Sequence, residues 1–203
     1  MLASSPKSGN SKAEGNFCPK TQAVIARRGY KVEVKLGQGA YGVVFKAVHM
    51  QSNQLSAVKV IDLLKMSDRT RSKFLPRELE TLIQARHENL IQVFDIFRAD
   101  SKMFIFMEFA GNGDIRGYSK KNDGIKEELI CKWFLQASFG LSYLHDTLYT
   151  THRDIKTDNV LLDQNWTAKL SDFGFAKKSF DTEKNEVIMS STFCGTAPYG
   201  RHC

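Results

Sequence analysis

The rhythm of apolar and polar positions changes several times along the chain. Over residues 30–36 it alternates, with Tyr30, Val32, Val34 and Leu36 against Lys31, Glu33 and Lys35, the period of a half-buried strand. Residues 37–42 read as a turn, and 43–49 and 55–61 as two further strands that complete an antiparallel meander. From about 71 to 85 the period lengthens, and Phe74, Leu75, Leu79, Leu82 and Ile83 make a stripe at helical spacing. Strand patterns return at 90–97 and 103–109. Beyond Gly111-Asn112-Gly113 the period is helical again: residues 126–145 put Ile130, Trp133 with Phe134, Ala137, Leu141 and Leu144 on one face. The pattern predicts an α+β chain, five strands with one helix followed by a helical part. Residues 1–28 are rich in Ser, Lys, Gly and Asn without such a period, so they are expected to be a flexible extension, with order beginning near Gly29.

Composition narrows this modestly. At 203 residues and 42% apolar, the chain suits one or two domains at about 150 residues each. Its 25% charged and 11% aromatic residues exclude wholesale disorder, collagen-like repeats and coiled coil. Cys18, Cys131, Cys194 and Cys203 have neither disulfide-framework nor metal-ligand spacing and are expected to be reduced thiols. The longest apolar run, 103–107, stops at Glu108, far short of the ~18 residues a membrane span needs. The opening residues lack the apolar core of a secretory signal. A soluble cytoplasmic protein without a membrane partner is expected.

The net charge of +7 raises the question of nucleic acid. Residues 1–35 hold seven basic side chains against two acidic ones, so +5 of that charge lies there and only +2 on the rest. A basic leader on a nearly neutral body, with no basic patch interleaved with aromatics, gives no reason to expect a nucleic-acid partner.

Chemistry enters with four short segments. Gly37-Gln38-Gly39-Ala40-Tyr41-Gly42 is a glycine spacing that lets backbone turn tightly and approach phosphate, although alone it equally fits a hairpin turn. A dinucleotide-binding unit requires a helix next, and the strand pattern at 43–49 excludes it. Lys59 shares a strand face with Ala57, and a lysine turned inward needs an anionic partner; Glu78, on the predicted helix, is the natural carboxylate. His152-Arg153-Asp154 is followed by Lys156 and, five residues after the aspartate, by Asn159, an arrangement expected by chance in about 10⁻³ of such chains. Asp172-Phe173-Gly174 follows thirteen residues later.

In this order the segments resemble a protein kinase catalytic domain of the serine/threonine class over residues 29–199. The resemblance implies a bilobal fold: a leader at 1–28, an N-lobe at 29–110 with a five-stranded antiparallel sheet and one helix, and a mainly helical, incomplete C-lobe at 111–203. It implies ATP and Mg²⁺ as cofactors and Ser/Thr-bearing proteins as substrates. Asp154 would be the base, Lys156 the γ-phosphate contact, Lys59 the holder of the α- and β-phosphates, and Glu78 its ion-pair partner. Leu36, Gly37, Gly39, Gly42, Val44 and Ala57 would enclose the nucleotide from above. Met107 would be the gatekeeper, residues 108–110, Glu108 and Ala110 among them, the hinge, and Asp114 the carboxylate near the ribose. Asn159 and Asp172 would hold the metal. Thr196 would lie near the substrate hydroxyl. Thr192 would be the activation-loop position phosphorylated by an upstream kinase, with Ser190 and Ser191 as neighbouring alternatives, and its phosphate would pair with Arg153.

Segments such as Lys73-Phe74-Leu75-Pro76-Arg77-Glu78 and Thr192-Phe193-Cys194-Gly195 are similar to the testis-specific serine kinases of the calcium/calmodulin-dependent group. The family's Ala-Pro-Glu element does not follow Pro198-Tyr199. The helices that come after it would cover the apolar stripe of 126–145, so an exposed apolar patch is expected there. Two functions therefore stand: an active protein kinase, or a truncated, catalytically impaired chain that binds nucleotide or partners.

Overall fold

A computed structural model describes residues 17–38, 42–65, 83, 85–173, 176–181 and 184–188. The predicted helix at 71–85 lies almost wholly outside these residues. Five strands form one antiparallel sheet: β1 (Tyr30–Gln38), β2 (Gly42–His49), β3 (Gln54–Asp62), β4 (Val93–Ala99) and β5 (Lys102–Glu108), in the order β1-β2-β3-β5-β4. The tight β2–β3 and β4–β5 turns each hold a residue in the left-handed region, Asn53 at φ 53° and Asp100 at φ 52°, the two types that tolerate it best.

Strict alternation in β1 fails midway. Register shifts between Val32 and Lys35 and again between Lys35 and Gly37 interrupt the period-2 pattern, and Leu36 ends up largely exposed. The expected strand at 90–97 begins later, at Val93. Leu90 and Ile91 pair instead with the opposite half of the molecule: Leu170 N donates to Asn89 O at 2.8 Å and Ile91 N to Leu170 O at 2.8 Å.

The sheet is apolar on both faces. Tyr30, Ala47, Val58, Val60, Phe97, Phe104 and Phe106 form a buried cluster on the outer one, and the cover is the segment expected to be a flexible leader. Residues Pro19–Arg27 form a helix, α1, with proline in its first turn and Gly29 at φ +83° just past its end, the usual helix bounds. Ile25 is buried in the cluster, and Phe17 meets the rings of Phe45 and Phe104 edge-on, each at 5.6 Å. Arg28 reaches both Asp95 carboxylate oxygens at 2.9 Å while lying over the Phe97 ring. Order therefore begins before Gly29, because the aromatic face needs covering. Few apolar residues suffice for that, which is why composition alone reads this segment as polar.

The second half carries helices α2 (Ile115–Lys121) and α3 (Glu127–Ser142), the latter followed by a wider π-type turn at Tyr143–Thr147. With them come three two-stranded ladders that apolar periodicity does not announce: β6 (Thr150–Thr151) with β9 (Lys177–Lys178), β7 (Val160–Leu162) with β8 (Ala168–Leu170), and β10 (Phe180–Asp181) with β11 (Glu186–Val187). The stripe on α3 divides. Trp133 and Leu144 are buried with Leu162, Leu170 and Phe173, whereas Ile130 and Phe134 are 49% and 70% exposed. Packing is centred on Gly140: a Cβ there would sit 2.6 Å from the Asn89 carbonyl oxygen, so the missing side chain sets which arc of the helix touches the core. Ile130, Phe134, Leu135 and Phe139 form the uncovered apolar face.

His152 is fully buried against this core. Its Nε2 lies 2.8 Å from the Ser171 carbonyl, and Nδ1 accepts from Asp154 N at 3.3 Å, a pattern that suits the neutral ring with its proton on Nε2. Burial holds the imidazole below its ordinary range, outweighing the opposing effect of the Ser171 contact.

Two stability predictions follow from this packing. Gly140→Ala adds about 1 kcal/mol of helix propensity, but the clash with backbone costs about 1–3 kcal/mol, so its urea midpoint falls; a rise would reject the packing account. Because the folded His152 binds its proton less readily than the unfolded one, its contribution is intact above pH ~6.5 and is lost as pH falls below it, at up to about 1.4 kcal/mol per pH unit. Urea unfolding from pH 7.5 to 5.5 shows a shallower slope in His152→Phe; an unchanged slope would sink the assignment.

Candidate active site

Alternation on the inner face of the sheet puts chemistry beside the core. Gly42 and Val44 on β2, Ala57, Lys59 and Ile61 on β3, and Ile105 and Met107 on β5 all line a cleft of about 340 Å³. β2 can pass close over β3 because Gly42 has no side chain: a Cβ would lie 2.4 Å from the Val60 carbonyl oxygen. Leu36 and Gly37 close the cleft above, Glu108, Phe109 and Ala110 bound one side, and Asp114, Asn159, Asp172 and Phe173 come from below.

Lys59 has its charge answered across the cleft: Nζ lies 2.5 Å from Asp172 Oδ1. With the lysine mostly buried and the aspartate side chain 35% exposed, the pair adds little net stability, because desolvation and solvent screening offset much of the attraction. The partner expected for Lys59, Glu78, lies outside the described residues, as do Gly39, Thr192 and Thr196.

Below, the segment after His152 folds back on itself. Asp154 is 4% exposed, and one of its oxygens, Oδ2, accepts from Lys156 Nζ at 2.8 Å and from Asn159 Nδ2 at 2.9 Å. The same Nδ2 donates to the Asp154 carbonyl at 2.8 Å. Since the amide nitrogen is committed to the loop, its Oδ1 is the end turned away from it. A 3₁₀ turn, Thr157–Asn159, makes this return short, and Ser171 pins it by donating from both N and Oγ to the Asn159 carbonyl at 2.8 and 3.0 Å. Arg153 at φ 65° and Asp172 at φ 59° hold left-handed backbone, a conformation that costs about 1–3 kcal/mol each and collects at functional sites.

Most of the residues singled out by motif thus share one site. Leu36, Gly37, Gly42, Val44, Ala57, Lys59, Met107, Glu108, Ala110, Asp114, Asn159 and Asp172 line the cleft, and Asp154 with Lys156 is joined to it through Asn159. Asp114 also caps α2, its Oδ1 accepting from Gly117 N at 2.7 Å. Phe109 lines the cleft as part of the expected hinge, whereas sequence reasoning passes over Asp158 and Lys169. Asp158 lines the cleft while paired with Arg116 at 2.9 Å, and no spacing rule marks that pair. Lys169 meets Glu108 at 3.0 Å; an inward lysine within the short apolar strand before Asp172 was its one signal.

The oxygens at the lower end, the Asn159 amide and the Asp172 carboxylate, are of the type a hard divalent cation takes, so the residues present fit magnesium.

Comparison with known proteins agrees with the geometry. The protein kinase domain family matches residues 30–200. Testis-specific serine/threonine-protein kinase 1 of Mus musculus is 39% identical over 178 residues, 87% of this chain and 48% of its own length. Testis-specific serine/threonine-protein kinase 4 of Homo sapiens is 35% identical over 185 residues, covering 84% and 55%, and serine/threonine-protein kinase dst1 of Dictyostelium discoideum 35% over 170 residues, covering 84% and 22%. The chain spans about half the length of the testis-specific kinases it matches. With its motifs in order around one cleft and a match that runs from β1 past the last described strand, this chain belongs to the protein kinase domain family.

Proposed function

We propose that the chain binds ATP in this cleft and transfers its γ-phosphate to serine or threonine hydroxyls of protein substrates in the cytoplasm. One observation carries the reading: Asp154 is held by Lys156 and by Asn159, and Asn159 lines the cleft together with Lys59 and Asp172. In this reading residues 29–110 are the N-lobe and the C-lobe starts at 111. The hinge backbone at 108–110 receives the adenine, Asp114 the ribose, and Lys59 the α- and β-phosphates.

Phosphoryl transfer asks for positioning and charge neutralisation more than covalent help. Asn159 Oδ1 and the Asp172 carboxylate would hold Mg²⁺, which supplies neutralisation of phosphate charge when bound. Lys59 moves from Asp172 to phosphate as that charge arrives. Asp154 accepts the hydroxyl proton: with Oδ2 already receiving two hydrogen bonds from the protein, the carboxylate is oriented towards the incoming hydroxyl. Lys156, beside it, adds positive charge where the transferred phosphate passes. Thr196 is assigned to the substrate hydroxyl region and Thr192 to phosphorylation by an upstream kinase, both from the sequence motif.

Two measurements check this. Transfer of ³²P from ATP to a generic protein substrate falls about 10²–10⁴-fold in Asp154→Asn, the range for loss of a general base; equal rates in the two proteins would refute the assignment. Mg-ATP at a hundred times its Kd stabilises the wild type by about 2.7 kcal/mol, read as a rise in Tm. In Lys59→Met the rise is mostly lost, and a full rise there would remove Lys59 from the phosphate site.

A further inference from the structure

β5 alternates, with Met103, Ile105 and Met107 on the cleft side and Phe104 and Phe106 in the outer cluster. By alternation Glu108 falls in the second set, which directs its carboxylate away from the face of Met107, although the residue is among those that bound the cleft. Oε1 lies 3.0 Å from Lys169 Nζ, and Oε2 accepts from Gln92 N at 3.3 Å. Lys169 is the middle residue of β8, only 8% exposed, three positions before Asp172.

Between the two runs the strip 89–92. On one side it is bonded to β8 through Asn89 and Ile91; on the other, the Gln92 carbonyl accepts from Glu108 N at 2.8 Å. The hinge, this strip and β8 are therefore one hydrogen-bonded ladder, and the Glu108–Lys169 ion pair closes across it. A buried ammonium needs its counter-charge, yet such a pair is weak evidence for stability. What it does fix is the distance between its two ends: the hinge that receives adenine and the strand that delivers Asp172.

We propose that Lys169 and Glu108 are a positioning pair that sets the separation between the hinge and the Asp172 end of the cleft. The inference rests on the nucleotide-binding reading above. A ligand that spans both ends feels that separation; one held by the hinge alone does not. Releasing the pair weakens Mg-ATP while leaving adenosine nearly unaffected, a difference that a purely structural role for Lys169 would not produce.

The test uses the full chain and calorimetric titration with two probes, adenosine and Mg-ATP. In Lys169→Met the Kd for Mg-ATP rises about tenfold, misplacement of a bound group being worth that much or more, while the Kd for adenosine changes less than about twofold. Lys169→Arg, which retains the charge, keeps the wild-type ratio. If Lys169→Met lacks a cooperative melt, Glu108→Gln carries the comparison, with the same rise in the ratio expected. Equal weakening of both ligands, or no change in either, overturns the pair. Wild type that binds neither ligand overturns the nucleotide-binding reading itself, and this inference with it.

Discussion

The ammonium of Lys59 sits on the inner face of β3, among Val44, Ala57, Ile61 and Ile105 of the same cleft, and keeping that charge answered is the constraint on which the site's arrangement depends. Its partner, Asp172, comes from the other half of the molecule. For the carboxylate to reach it, β8 must stop at Leu170, the backbone must turn left-handed at Asp172, and the strip 89–92 must hold β8 beside the sheet. Strand, turn and strip are three separate pieces of chain that meet around one charge. The pair holds the lysine largely out of water and within the cleft.

The strands that carry the site were legible because their neighbours in the sheet impose a period of two on the sequence. β2, β3 and β5 fall within a residue of the pattern, and Ala57 and Lys59 share a face as alternation requires. The loop around Asp154 was legible for another reason: Asp154, Lys156 and Asn159 fall within six residues, a local spacing that a reader can count. What could not be read were effects of distant partners. The bulges of β1 follow from its pairing with β2, the buried arc of α3 from the approach of Asn89 to Gly140, and the late start of β4 from competition by β8 for Leu90 and Ile91. Lys169 pairs with a residue sixty-one positions earlier, and no periodicity connects them.

Among the described residues, several buried polar groups gather around the segment 152–171. His152, Asp154, Asn159 and Ser171 are all buried and bond to one another's backbone or side chains, while buried Lys169 pairs with Glu108. Such a network tolerates few alternative arrangements, since each unsatisfied member costs about 1–3 kcal/mol. The apolar clusters on either side allow more freedom, because dispersion and burial are not directional.

The family's pattern begins at residue 30, whereas the cover over the outer face of the sheet includes residues before it, Phe17 and Ile25 among them. The boundary of a recognisable domain and the boundary of a wettable one are thus different places. A fragment trimmed to the first would keep every motif and yet present the stacked rings of Tyr30, Phe97, Phe104 and Phe106 to water. That surface is a sticky one, and side chains with no assigned chemistry are what keep it covered.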